Sequence, residues 1–236
     1  MTVGSIGNLK RRIAVIAKYP FYVDDICGEL LGLDFQVISA SEISEITDSI
    51  ESGIEFDFIF FPHFSKLIPA DFLQKNNCIG FHTGDLPSDR GGSPIQNKII
   101  KGQYSTLVSA FKLTQDLDAG DILCSEEVSL ENGSIEFILR KISTIIARLA
   151  KKVVSENPIP IPQKGNVAIS SRLKPHESEL KIDALTVKQI YDRIRMLDGL
   201  DYPPAYIQFD HYRIILSKAE FEDGTLTFVS RLEEKI

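Results

Sequence analysis

Three cysteines in 236 residues, Cys27, Cys78 and Cys124, are too few, too widely spaced and odd in number for a disulfide framework. Each reads as a small buried hydrophobe rather than a ligand or nucleophile, and no metal-binding motif is present. No apolar run approaches the roughly 18 residues that suggest a membrane span. The opening stretch Met1 to Leu9 lacks the apolar core of a signal peptide, so a cytoplasmic protein is expected. Cations are in deficit: 26 Lys+Arg stand against 33 Asp+Glu, a net charge of -7. That balance disfavours a global grip on a polyanion, since nucleic-acid backbones reward clustered cations, but it leaves room for a local basic patch. Repeats and low-complexity tracts are missing. What remains is 43% hydrophobic and 25% charged, an ordinary globular composition. The length suits one large domain, or one domain with a small appendage.

The first two-thirds alternate apolar runs with helix-like segments. Ile13 to Ala17, Phe35 to Ile38, Phe56 to Phe61 and Cys78 to Phe81 read as strands; Asp24 to Leu33 and Ser41 to Ser52 read as helices between them. The nearly all-apolar Phe56–Phe61 run fits a central parallel strand. This β-α-β alternation predicts a Rossmann-like, doubly wound, mostly parallel α/β sheet with right-handed crossovers. Ser93-Pro94 reads as a helix N-cap and first turn, ending at Gly102. Two β segments follow, Leu107 to Leu113 and Ile122 to Leu130, around the polar turn Thr114 to Asp121. From Ser134 to Glu156, apolar residues recur at spacings of three and four, which predicts a helix packed on the sheet. Asn157 to Pro162 holds three prolines, so an extended linker or edge is expected. The expected division is a catalytic domain over 1–156, a proline-rich linker over 157–168, and a small α+β region over 169–236. That last region contains a helix near Val187 to Leu197 and short strands beyond it.

Only four histidines are present: His63, His82, His176 and His211. His82 stands out because it follows a predicted central parallel strand, and the carboxyl ends of such strands are where open α/β sheets place ligands. After it come Thr83-Gly84-Asp85-Leu86-Pro87 and Arg90-Gly91-Gly92-Ser93-Pro94. The glycines allow close backbone approach, and the helix start offers unpaired N–H groups. The second element is the acidic turn Asp116-Leu117-Asp118-Ala119-Gly120-Asp121, which taken alone is an ordinary solvated turn.

Together and in this order, Phe-His-x-x-Asp-Leu-Pro, Arg-Gly-Gly-Ser-Pro-Ile-Gln and Leu-Asp-x-Gly-Asp resemble the N10-formyltetrahydrofolate-dependent formyltransferases. The resemblance is good over about residues 55 to 130. It continues faintly through the Ser134 helix to Ser171-Arg172-Leu173 and Tyr202-Pro203-Pro204-Ala205-Tyr206. It implies a catalytic trio of Asn, His and Asp, in which His82 matches the His and Asp118 the Asp. The Asn position is Gly80 here, so that amide is missing or replaced; Thr83 is the nearest neutral stand-in and Asn97 a more distant one. The chemistry implied is attack of a neutral amine on the formyl carbon, with His82 stabilising the tetrahedral oxyanion and Asp118 orienting the imidazole and helping to remove a proton.

The resemblance further implies N10-formyltetrahydrofolate as co-substrate, with no metal. His63, Phe64, Leu86, Leu113 and Asp116 would border or bind it, around an apolar slot for the pterin. Arg90, with Gly91 and Gly92, would meet the acceptor, or Arg90 would only pair with Asp85 or Asp89. Gln96 reads as a loop anchor. Tyr202, Tyr206 and Tyr191 stack on a base or sugar, or pack in the core. The acidic charge and the short region after the linker favour a small-molecule acceptor, and the compact region bearing Asp201 to Tyr206 resembles the nucleotide-sugar N-formyltransferases, which implies a nucleotide-linked (UDP or dTDP) amino-deoxysugar. The resemblance implies bacterial glycan biosynthesis, with the Phe-His-x-x-Asp-Leu-Pro and Arg-Gly-Gly-Ser-Pro-x-Gln-Asn motifs looking nearest to enzymes of the pseudaminic-acid type, and no nucleic-acid or membrane partner is expected. A homodimer through the C-terminal region is the family expectation. The alternatives are a methionyl-tRNA formyltransferase-like enzyme, or a non-catalytic relative that binds sugar nucleotide or folate.

Overall fold

A computed structural model describes residues 11–200 and 202–234. The Met1–Leu9 stretch, from which the absence of a signal peptide was read, lies outside them. In chain order the first half contains β1 (Arg11–Ile16), α1 (Pro20–Leu30), β2 (Phe35–Ala40), α2 (Ile43–Glu51), β3 (Phe58–Pro62), α3 (Ala70–Lys75), β4 (Cys78–Thr83), β5 (Arg90–Gly91) and α4 (Pro94–Ile100). There follow β6 (Ser105–Lys112), β7 (Ile122–Ser129), α5 (Ile135–Glu156), β8 (Ile169–Ser170), α6 (Val187–Arg195), β9 (Tyr206–Phe209), β10 (Tyr212–Glu222) and β11 (Thr225–Glu234).

The fold is mixed α/β with a mostly parallel six-stranded sheet in the order β2-β1-β3-β4-β6-β7. β1 pairs in parallel with both β2 and β3, and β3 in parallel with β4. β6 runs antiparallel to β4: the Leu113 N–H donates to the Cys78 carbonyl and the Gly84 N–H to the Leu107 carbonyl. Every residue of β3 and of β4 is buried, as strands covered on both faces require. α5 matches the sequence reading closely. Its residues Ile135, Ile138, Leu139, Ile142, Ile146, Leu149 and Val153 are at most 3% exposed, a stripe set by the three-and-four spacing. α1 starts at Pro20 rather than near Asp24, because proline is pre-organised for the first helical position. α3, a single short turn burying only Phe72, was not anticipated. No helix among the described residues is long and apolar enough to cross a membrane.

The chain divides into two compact units. The first comprises the described residues of Met1–His82 with Ser109–Ser125 and Ser143–Pro162. Its core joins Ala14, Ile16, Ile59, Phe61, Phe72 and Cys78. The proline-rich stretch belongs to this unit and docks as an edge: Ile161 and Ile122 exchange both backbone hydrogen bonds, at 2.8 and 2.9 Å. The second unit comprises Thr83–Val108, Glu126–Ile142 and Gln163–Ile236. It holds the antiparallel sheet β11-β10-β9, on which α6 packs, and the small parallel pair β5–β8. Arg195, 1% exposed, ties this unit together. Its guanidinium donates to Asp192 at 2.7 Å and to the carbonyls of Leu130 and Gly133 at 2.8 and 3.1 Å. The Tyr104 hydroxyl donates to the same Asp192 at 2.6 Å. Burial and that carboxylate push its pKa up to about 12.

Candidate active site

In the first unit the site is built on the end of β4. The strand keeps His82 only 7% exposed, and the turn from Thr114 to Asp121 brings Asp118 to it. Gly120 makes that turn possible. A Cβ there would lie 1.7 Å from the Lys112 carbonyl oxygen, so only glycine lets the chain fold back this closely. The Lys112 N–H then donates to the Asp121 carbonyl at 2.9 Å. Asp118 adopts a left-handed backbone, φ 49°, which Asp tolerates better than most residues. Its Oδ2 comes within 3.5 Å of His82 Nδ1, with both side chains largely buried (7% and 17% exposed). At that distance the contact is an electrostatic pairing, not a tight hydrogen bond. The imidazole faces the carboxylate through Nδ1.

Gly80, where the resemblance places a missing Asn, is closely covered. An added Cβ would meet Leu113 Cδ2 at 2.7 Å and two atoms of the Phe111 ring at 2.9 Å. Phe111 and Leu113 therefore occupy the space an Asn side chain would need, and the departure at Gly80 is built into the packing of β6 on β4. Leu113, with Phe64, packs against the apolar core, and Phe64 meets Phe61 edge-on at 5.1 Å. His63 lies against Tyr19 and Tyr22. Asp116 is exposed and caps its own turn through its carbonyl, which accepts from Thr114 Oγ1 and the Ala119 N–H.

In the second unit, Thr83 is 9% exposed and Leu86 is half-buried, followed by a cis bond to Pro87. The side-chain partner that the structure gives Arg90 is neither the acceptor nor Asp85 or Asp89 but Gln163. The Arg90 guanidinium donates twice to Gln163 Oε1, at 2.7 and 3.1 Å. The two aspartates instead hold Lys98, which the sequence reading passed over. Its ammonium lies 2.5 Å from Asp85 and 2.9 Å from Asp89, and its side chain is 8% exposed. Burial works against the charged Lys98, but the two carboxylates outweigh it and raise its pKa. For Asp89 burial pushes upward, and the Lys98 contact more than offsets it, holding the carboxyl below its ordinary range. The available signal was a lysine set among the apolar Ile95, Ile99 and Ile100.

Gly91 and Gly92 serve the backbone of their own unit. A Cβ on Gly91 would meet the Ser170 carbonyl oxygen at 2.4 Å, and one on Gly92 would meet Arg172 Cβ at 2.7 Å. They allow β5 to pair with β8. Ser93 is the N-cap of α4 by position, but with a left-handed backbone and no side-chain cap; its Oγ accepts from the Leu173 N–H at 3.1 Å. Asn97 Nδ2 bonds the carbonyls of Gly92 and Ser171, and Gln96, 1% exposed, donates to the Met196 carbonyl. Gln96 is thus an anchor, as read. Tyr191 is 7% exposed against Phe221, a core residue. Tyr206 has the Arg213 guanidinium 4.7 Å over its ring, and the Tyr202 N–H donates to the Gly199 carbonyl. No group of three or more potential metal-ligating side chains occurs among the described residues.

A family model described as "Formyl transferase" matches residues 37–144, a span containing His82, Arg90 and Asp118. A second, described as "Methionyl-tRNA formyltransferase, C-terminal domain", matches residues 175–229. A methionyl-tRNA formyltransferase structure from Clostridium thermocellum is 31% identical with a TM-score of 0.88, covering 95% of this chain and 99% of that one. The chain belongs to the formyl transferase family. Among curated relatives, methionyl-tRNA formyltransferase of Mycoplasmopsis pulmonis is 29% identical over 79% of this chain, which spans 66% of that protein's length. A 4-N formyltransferase from Francisella tularensis shares the fold at 21% identity and a TM-score of 0.68, over 96% of this chain and 99% of that one.

Proposed function

We propose that this formyl transferase moves a formyl group from N10-formyltetrahydrofolate to the primary amine of an acceptor that carries a nucleotide. The observation that carries the reading is the buried approach of the Asp118 carboxylate to Nδ1 of His82, made by a turn 36 residues downstream of the strand that bears the histidine. The acceptor nitrogen bonds to the formyl carbon, the carbon–N10 bond breaks, and one proton leaves the amine while N10 gains one. His82, through Nε2, stabilises the developing oxyanion. Asp118 keeps the imidazole oriented and helps to remove the proton. Thr83 is assigned the neutral polar role that the side chain missing at Gly80 cannot supply. His63, Phe64, Leu86, Leu113 and Asp116 are assigned to the folate. Arg90, Gly91, Gly92, Tyr202 and Tyr206 are assigned to the acceptor side.

Methionyl-tRNA is the acceptor that the relatives' names support, ahead of the nucleotide sugar expected from the sequence. One observation keeps the sugar reading in play. Residues 169–236 carry ten Lys+Arg against twelve Asp+Glu, whereas a tRNA-gripping surface rewards an excess of cations. The likeness to the Francisella protein supports the fold alone. The test is tetrahydrofolate release by the purified chain, supplied with N10-formyltetrahydrofolate and, in separate reactions, methionyl-tRNA or UDP- and dTDP-linked amino-deoxysugars. Turnover with methionyl-tRNA supports the first acceptor and turnover with a sugar the second. Binding of folate without turnover on any acceptor sinks the catalytic reading in favour of a binding protein.

A further inference from the structure

The sheet winds in opposite directions on the two sides of β1, toward β2 on one and toward β3 and β4 on the other. The crevice at the carboxyl ends of β1 and β3 is therefore the topological switch point, the place where open α/β sheets take ligands. Four rings meet there, three following β1 and one following β3. Tyr19 and Phe21 stack with centroids 5.6 Å apart and planes within 4°. Phe21 touches Tyr22 at 4.6 Å, and Tyr22 and Tyr19 each reach His63 at 6.0 Å, closing the circuit. Tyr22 is 0% exposed and forms the floor; Tyr19, Phe21 and His63 are half-buried and keep ring surface open. Lys18 is exposed, with its Nζ 5.3 Å from the Tyr19 centroid.

Two further features show that this cluster is held in place. His63 has a left-handed backbone, φ 50°. That conformation costs on the order of 1 kcal/mol in a non-glycine residue and concentrates at binding sites. Ser143 on α5, 0% exposed, donates to Asp25 Oδ2 at 2.5 Å, and its Oγ lies 3.3 Å from the Phe21 carbonyl, so the first turns of α1 are fixed. Pre-ordered rings lose little entropy when a planar ligand stacks on them.

We propose that Tyr19 and Phe21, with Lys18 at their edge, form the subsite for the nucleotide of the formyl acceptor, the base lying on these two rings beside His63 at the border of the folate site and a phosphate meeting Lys18. A nucleotide carries its anion one sugar away from its flat ring, the arrangement Lys18 beside Tyr19 offers. The pterin of a folate is uncharged, and its carboxylates lie beyond a second ring. This rests on the acceptor carrying a nucleotide, which holds for methionyl-tRNA, with its terminal adenosine, and for a nucleotide sugar.

The test is calorimetric binding of UDP, dTDP, AMP and 5-formyltetrahydrofolate to the full chain, and it needs no turnover. The wild type is expected to bind at least one nucleotide, AMP pointing to the tRNA source and UDP or dTDP to a sugar. Tyr19→Leu should weaken that nucleotide about tenfold and leave the folate unchanged. Lys18→Gln, at an exposed position that does not threaten folding, should weaken it severalfold and flatten its salt dependence. The proposal is overturned if no nucleotide binds, if Lys18→Gln leaves nucleotide affinity intact, or if Tyr19→Leu lowers folate affinity instead. Because formyl transfer is not the readout, a dead enzyme that still binds nucleotide through these residues would contradict the catalytic reading and not this one.

Discussion

Two clusters of buried charge among the described residues, one around Lys98 and one around His82, differ in tightness. Lys98 sits 2.5 and 2.9 Å from Asp85 and Asp89, and Asp85 accepts further from the Leu107 N–H and Thr106 Oγ1. His82 and Asp118 approach only to 3.5 Å. The first arrangement satisfies its charges with one another and holds the loop after β4 to α4 and β6. The second is a looser approach through Nδ1 of the imidazole, and its carboxylate reaches the site on a turn with a left-handed backbone. Fixed partners serve stability, whereas loosely engaged partners in a buried setting are available for chemistry.

The comparison can be broken from either side. Asp118→Asn keeps the size of the side chain and removes its charge, so formyl transfer should fall on the order of 10²–10⁴-fold while the urea-unfolding midpoint stays near wild type. Lys98→Met should do the reverse. It strands Asp89 in a mostly buried position with Asp85 beside it, and about 3 kcal/mol of stability should be lost by urea denaturation. A Lys98→Met protein as stable as the wild type would refute the assignment of this cluster to the fold. Gly80→Ala forces a Cβ against Leu113 and Phe111, and overpacking of this kind costs about 1–3 kcal/mol. Combining it with Leu113→Ala should recover part of that loss.

The smallest effect is the pH dependence of the Lys98 cluster. The folded pKa of Asp89 lies below its ordinary value, so its contribution is fully present above about pH 4. It is lost as the pH falls through the folded value. The stability gap between wild type and Lys98→Met, read from urea midpoints, should be constant near neutrality and narrow below about pH 4. A gap that widened in acid would reverse the sign of the argument.

Much of the architecture was legible in the chain. The α5 stripe, the all-apolar β3 run and the order of strands and helices follow from periodicities that the backbone enforces. The meeting of His82 and Asp118 was legible only because both sat in linked motifs; nothing local to either residue reports a contact across 36 positions. Lys98 and Arg195 were not legible as buried ions. Their partners are set by tertiary packing, and a charged residue in a helix is ordinarily solvated. The Gln163 contact of Arg90 was not legible either: it lies 73 residues away, whereas the two roles open in the sequence were the acceptor and the nearby Asp85 or Asp89. The rings at Tyr19 and Phe21 were missed because the switch point emerges only when strand order is known.

The central claim is that His82, paired with Asp118, performs formyl transfer. The most direct test is the rate of tetrahydrofolate release from N10-formyltetrahydrofolate by His82→Ala, measured beside the wild type on whichever acceptor turns over, with thermal melts to match folding. A loss of about 10²–10³-fold with an unchanged melting temperature is the predicted result. Equal rates in the two folded proteins would contradict the claim and move the chemistry elsewhere in the chain.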